Sequence, residues 1–180
     1  KEKINENLKI HYNNYLKEIE KKQIFDLLES AHKFDLPEGI YEEEFNQIWK
    51  KVEKAKSDNT LDEDDKKLSS VKLKKRYEKI AARRVKLAII IKKIAEKSSI
   101  TVTDQELNNG LINYATQYPG QEKQIFEFFK KNPNHMESIR APIFENKVLD
   151  NVFSNTIKEK KDITLDEFKK IQNKTFSYKN

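Results

Sequence analysis

Apolar residues recur along this chain at intervals of three and four, the spacing that places them on one face of a helix. Ile4, Leu8, Tyr12, Tyr15 and Ile19, continued by Ile24, Leu27 and Leu28, predict an amphipathic helix over residues 4–30. HKFDLPEG then interrupts the pattern. Pro37 biases Leu36 away from α geometry and Gly39 adds backbone freedom, so the chain turns here. A second helix follows, with Tyr41, Phe45, Ile48 and Val52 as its stripe and Trp49 beside them. Glu42, Glu43 and Glu44 are expected in its first turn, where the helix dipole favours negative charge.

From the polar connector SDNTLDEDD at 57–65 to about Lys97 there is neither Pro nor Gly. The pattern predicts one helix of about 35 residues, roughly 50 Å long. A compact globule of this chain length would be only about 40 Å across, so the helix implies a protruding element or an elongated molecule. Its stripe reads Leu73, Tyr77, Ile80, Leu87, Ile91 and Ile94, with Arg84 where another apolar residue is expected. Thr103-Asp104-Gln105-Glu106 has the form of a capping box and predicts a helix from there to near Tyr118. NPN at 132–134 opens a further helix in which Pro142 should bend or locally break the hydrogen-bond ladder. Thr164-Leu165-Asp166-Glu167 repeats the capping-box form, and NKTFSYKN reads as a frayed tail.

The least expected stretch is YATQYPGQEKQIFEFF at 114–129. A helix ending in Tyr114 and Tyr118 meets the Pro119-Gly120 break, and a short helix then carries Ile125, Phe126, Phe128 and Phe129. On a short helix those four cover much of the circumference, so one face packs inward and the rest stays wet.

Composition narrows the class. Of 180 residues, 36% are hydrophobic and 37% charged, with only 3 Gly and 4 Pro, a balance that favours helix and predicts an all-α domain. The length supports one sizeable domain without disulfides or metal. There is no cysteine, which excludes a disulfide framework and a thiolate metal site and makes a reducing cytoplasm the natural compartment. The longest apolar run, LAIII at 87–91, is far short of the roughly 20 residues of a bilayer span, so no membrane insertion is expected. The opening KEKINENLKI is already in helical register without an initiator Met, as expected of a segment of a longer protein.

Charge and candidate chemistry add mainly exclusions. The net charge of +6 arises from 36 basic residues interspersed with 30 acidic ones, mostly a solvated helix surface. Residues 66–93 are the exception, with twelve basic residues against Glu78 alone. Such a stripe can touch nucleic acid, but solvated Lys and Arg flanking an apolar helix face is the favoured reading. His11, His32 and His135 fall in separate segments, without the spacing that places two histidines on one helix face. No glycine-rich phosphate loop or nucleophile elbow occurs. Asp64-Asp65 and Glu42 to Glu44 lie in charged contexts and read as solvated surface. No catalytic residue, metal or cofactor is expected.

RRVKLAIIIKKIAEKSSITVTDQELNNGL, YPGQEKQIFEFFKKNP, IRAPIFENKVLDNVF and DITLDEF, in that order over 83–168, resemble the C-terminal domain of trigger factor, the bacterial ribosome-associated chaperone. FDLPEGIYEEEFNQIW at 34–49 resembles an earlier part of the same domain. The resemblance implies an elongated all-α domain of a body and two helical arms, covering residues 1–180, and similar in fold to the substrate-binding part of the periplasmic chaperone SurA. It also implies that unfolded or nascent polypeptide is held in a cradle without nucleotide. The family's ribosome-docking domain, with its Gly-Phe-Arg motif, and its prolyl-isomerase domain are not in this sequence, so ribosome docking by that route and isomerisation are not expected of it. By the same resemblance the client-contacting positions fall on Tyr114, Tyr118, Ile125 and Phe128, with Phe126 and Phe129 as neighbours. Tyr41, Phe45, Ile48 and Trp49 offer a second client patch, although their stripe also fits ordinary inter-helix packing. Two rival readings are a nucleic-acid-binding module using Lys72 to Arg84 and a module that self-associates, as a homodimer for example, through the same aromatics.

Overall fold

The computed structural model describes residues 2–157, 159 and 161–176; of these, the side chains of 2–5, 7, 8 and 172–176 are not described. Among the described residues the chain is all-α, with eight α-helices and no strand. They are α1 (Glu2–Ala31), α2 (Glu38–Ser57), α3 (Glu63–Lys66), α4 (Ser70–Lys97), α5 (Asp104–Ala115), α6 (Glu122–Lys131), α7 (Glu137–Ser154) and α8 (Leu165–Phe176), with a 3-10 turn at Pro133–Met136 before α7. The contacts divide into two units, residues 1–90 and 91–180, and the division falls inside α4.

In the first unit the core joins Ile48 and Val52 of α2 to Leu73 and Ala81 of α4. Tyr41, Phe45, Trp49, Leu61, Leu68, Tyr77 and Ile80 pack against that cluster. Ile19 and Ile24 of α1 are buried, whereas Leu27, expected on the same stripe, is exposed; Ile4 and Leu8 lie outside the described side chains. Ion pairs tie the helices together. Arg83 of α4 bonds Glu29 and, at 2.5 Å, Asp26 of α1, and Arg84 reaches Glu44 of α2 at 3.2 Å. Pro37 is the N-cap of α2, so its first turn carries Glu38, and Glu42, Glu43 and Glu44 fall a turn later. The dipole benefit expected for them falls off within the first turn. Glu44 meets Arg84 instead.

The single long helix predicted from the connector to Lys97 is two. α3 has four residues and is capped at Lys67, the chain leaves the helix over 68–69, and α4 has 28 residues, about 42 Å at 1.5 Å per residue. The break needs neither Pro nor Gly because Ser69 caps α4: its Oγ lies 3.4 Å from the Lys72 amide, and its carbonyl accepts from the Leu73 amide at 2.8 Å. The buried face of α4 also differs from the predicted stripe. It follows Leu73, Ala81 and Val85 with Tyr77 half-buried between them, then Ile90, Ile91 and Ala95. Two small alanines carry the face, and Arg84 lies beside it, on the exposed side.

The second unit is built on Leu107, Leu111, Phe129 and Ile139, with Val102, Ile125, Met136 and Ile143 packed against them. α5 lies against both α6 and α7. Its capping box is formed: Thr103 Oγ1 accepts from the Glu106 amide at 3.2 Å, and the Glu106 carboxylate accepts from the Thr103 amide at 2.8 Å. Lys147 of α7 adds its ammonium to that carboxylate at 2.6 Å and donates to the Thr101 carbonyl at 2.7 Å. Glu106 is thereby held well below its ordinary value, at about 2, with the Lys147 bond the largest cause and the Thr103 bonds next. α7 runs unbroken through Pro142. That proline lies in the second turn and forfeits one amide bond, which the helix tolerates so near its start. α8 opens on the second predicted capping box, with the Thr164 amide donating to Glu167 at 2.9 Å. It continues to Phe176, so 173–176 of the predicted tail is helical, and 177–180 lies outside the described residues.

Candidate functional site

α5 ends at Ala115, three residues before the predicted Tyr118, because the chain tightens before Pro119: the Gln117 and Tyr118 amides donate to the Tyr114 and Ala115 carbonyls. Pro119 and Gly120 then occupy the middle of a turn closed by the Gln121 amide on the Tyr118 carbonyl at 3.0 Å. Gly120 has φ +83°, the left-handed conformation that the third position of such a turn requires. This turn reverses the chain so that α6 lies against α5, and it sets Tyr118 at the rim.

The rings that meet there form a chain. Tyr118 lies 5.5 Å from Tyr114, Tyr114 stands edge-on to Phe129 at 5.7 Å, Phe129 edge-on to Phe128 at 5.5 Å, and Phe128 lies 5.1 Å from His135. Edge-to-face and tilted geometries at these separations add to the stability of each pair beyond area burial. Only Phe129 is sunk in the core, at 5% exposure. Around it Tyr114 is 36% exposed, Phe126 36%, Tyr118 43% and Phe128 46%, while Ile125 is partly buried against the core. One ring therefore anchors a patch whose other rings face solvent. The hydrogen bond shared with Tyr118, which favours the protonated hydroxyl, is the main cause holding Tyr114 above its ordinary value. His135 is a member of the ring chain that no sequence signal pointed to, since it lies beyond the NP break and joins only through the 3-10 turn.

The second predicted patch is differently placed. Ile48 is buried in the core of the first unit. Tyr41, Phe45 and Trp49 stack along α2 at 6.4 and 5.9 Å, Trp49 meets Tyr77 edge-on at 6.5 Å, and Lys74 lies over Phe45 at 5.9 Å. The Trp49 indole donates to Glu53 at 2.9 Å. This ladder packs against the core cluster, as inter-helix packing predicts.

One feature departs from the solvated-surface reading. Asp65, read as half of a surface carboxylate pair, is buried at 5% exposure. It accepts from the Tyr77 hydroxyl at 2.5 Å, and its Oδ1 pairs with Arg76 at 2.9 Å, off the line a hydrogen bond needs. Burial first, and then the Asp65 bond and charge, push the Tyr77 hydroxyl up to about 12. In the basic stretch Lys66, Lys67, Arg84 and Lys93 are exposed, and together with Arg76 and Arg83 they form ion pairs within the chain. Among the described residues no group of three or more His, Asp or Glu side chains is placed to hold a metal. No helix among them is long and apolar enough to cross a membrane.

Comparison with known proteins agrees with this architecture. The family model described as the bacterial trigger factor C-terminus matches residues 1–154. Trigger factor of Gluconacetobacter diazotrophicus is 44% identical over 151 residues, covering 84% of this chain and 34% of that protein. Trigger factor of Nitrobacter winogradskyi is 39% identical over 169 residues, 92% of this chain and 37% of its own length. Trigger factor of Hyphomonas neptunium is 37% identical over 147 residues, with 82% and 33% covered. The chain thus spans about a third of the length of the curated relatives it matches. With the match running from α1 to the end of α7, the chain belongs to the trigger factor C-terminal family.

Proposed function

We propose that this chain is a chaperone segment that holds unfolded or nascent polypeptide, without nucleotide, on the exposed rings of Tyr114, Tyr118, Phe126 and Phe128. The observation that carries the reading is the ring chain itself, with Tyr114, Tyr118 and Phe128 left wet around the buried Phe129, and Phe126 exposed on the same short helix. Unfolded clients present scattered apolar segments, and burial of apolar area is the non-directional force able to bind any of them. Ile125 and Phe129 serve as the floor of the patch and hold the rings in place. On this reading the chain itself neither docks on the ribosome nor isomerises proline.

Magnitudes decide how many patches are needed. Side chains of this kind bury about 150–250 Å² each, so four of them about two-fifths exposed offer about 300 Å². At about 25 cal/mol per Å² that supplies about 8 kcal/mol, the net requirement of a micromolar complex. Ordering a disordered client costs about 2–5 kcal/mol more. One patch is therefore insufficient, and client contact extends to further apolar surface of the chain.

Suppression of aggregation of a denatured client tests the site. With Tyr118→Ser, Phe126→Ser and Phe128→Ser combined, suppression should weaken while helical content persists; undiminished suppression refutes the assignment. A salt series separates this reading from nucleic-acid binding, because phosphate contacts weaken steeply with salt and apolar contacts do not. The internal ion pairs of residues 66–93 favour the apolar reading.

A further inference from the structure

Residues 58–69, DNTLDEDDKKLS, join α2 to α4 and have the composition of a solvent-facing linker. Two of them behave otherwise: Leu61 and Leu68 are partly buried and pack against the cluster of Ile48, Val52, Leu73 and Ala81. Between them lies Asp65, buried, with its carboxylate on the Tyr77 hydroxyl and the Arg76 guanidinium. The pairs Lys66–Glu63 and Lys67–Asp64 are internal to the segment, so these two do not tie it to the helices. Its first turn places Asn59 at φ 55°, a left-handed conformation that a residue other than glycine adopts at a cost.

Such a segment is a weakly held strap. Burying a carboxylate is costly unless its partners compensate, and two partly buried leucines contribute far less than the helices on either side. Elements with few buried apolar contacts open locally before the fold does. Beneath the strap lies the apolar cluster flanked by the stacked Tyr41, Phe45 and Trp49.

We propose that residues 58–69 are a built-in occupant of a second polypeptide-binding surface on the first unit, displaced when a client segment takes their place. The strap states the chemistry of the partner: a polypeptide segment that forms a short helical turn, with one leucine-like residue four positions before an acidic one and another three after it. The apolar residues replace Leu61 and Leu68, and the carboxylate replaces Asp65 on Arg76 and Tyr77. Arg76, which holds the Asp65 carboxylate, favours an acidic segment over a basic one. The inference rests on the proposal that this chain holds polypeptide, and it supplies the additional apolar area that the ring patch lacks.

The test uses the whole chain and a reduced, alkylated and permanently unfolded polypeptide as the client. Amide exchange over 58–69 should rise by about ten-fold or more at saturating client, and emission of Trp49, the one tryptophan, should shift as the ladder changes cover. Client binding that leaves both signals unchanged overturns this inference alone. Absence of client binding overturns it together with the proposed function. As a second arm, the peptide SDNTLDEDDKKLSS is added in trans to a chain carrying Leu61→Ser, Asp65→Asn and Leu68→Ser. The variant should bind the peptide at least about ten-fold tighter than the unaltered chain, and equal affinities overturn the inference. Should that variant lose its helical signal, the exchange measurement on the unaltered chain decides.

Discussion

Gly110 lies where α5 comes closest to α7: a Cβ there would meet Ile143 Cδ1 at 2.6 Å and Ile139 Cγ2 at 3.0 Å. In an open helix, Gly→Ala gains about 1 kcal/mol, and overpacking a core costs about 1–3 kcal/mol. Gly110→Ala is therefore close to neutral, whereas Gly110→Val, with two more methyl groups against the buried Ile139 and partly buried Ile143 and little propensity gain, should destabilise by about 1–3 kcal/mol in denaturant unfolding. Ser99 presents the opposite case. It ends α4 at φ 52°, with the Ile100 amide donating to Ala95 at 2.9 Å, a left-handed helix stop usually filled by glycine. Ser99→Gly should raise stability by about 0.5–1 kcal/mol, measured the same way. The sequence places Gly110 inside a predicted helix without marking it as a close approach. It could not show which side chains Gly110 meets, because those belong to a helix thirty residues on. Ser99 and Asn59 were unmarked too, since polar residues in left-handed stops look like ordinary loop composition.

Among the elements, the helix starts were the most legible. Both capping boxes form at Thr103 and Thr164, because their hydrogen bonds are local and need no tertiary partner. What joins an element to its neighbours was less so. Glu106 was recognised as a cap, but its bond to Lys147 of α7 spans 41 residues and was not. That bond gives a pH prediction. The folded value of Glu106 lies near 2, below its ordinary 4.5, so its contribution is complete above about pH 4.5 and is lost as the pH falls toward 2. The difference in melting temperature between the unaltered chain and Glu106→Gln should accordingly shrink as the pH is lowered through that window. A constant difference would show that the carboxylate charge is not what joins α5 to α7. The break at Ser69 and the buried run of Ala81 and Val85 were missed for a related reason. A pattern read by size overlooks small residues on the buried face, and a serine cap inside a charged run resembles helix surface.

On the scale of the whole molecule, the aromatic cluster stood out in the sequence because its crowding of large apolar side chains beside Pro119-Gly120 exceeds what two short helices can bury. Which ring is the anchor did not, since Phe128 and Phe129 are adjacent and only packing separates them. The distinction has an observable consequence. Phe129→Ser removes a buried ring and should cost about 3–5 kcal/mol, whereas Phe128→Ser, at a half-exposed ring, should lower the thermal transition far less. The central claim is that the wet rings around Phe129 hold unfolded polypeptide by virtue of their clustering, and not merely because they are exposed. Leu16 of α1, at 45% exposure, matches Phe128 at 46% and provides the control. A photo-reactive residue placed in turn at 16, 118 and 128 and irradiated with an unfolded client should cross-link strongly from 118 and 128 and weakly from 16; equal yields from all three positions would contradict the account.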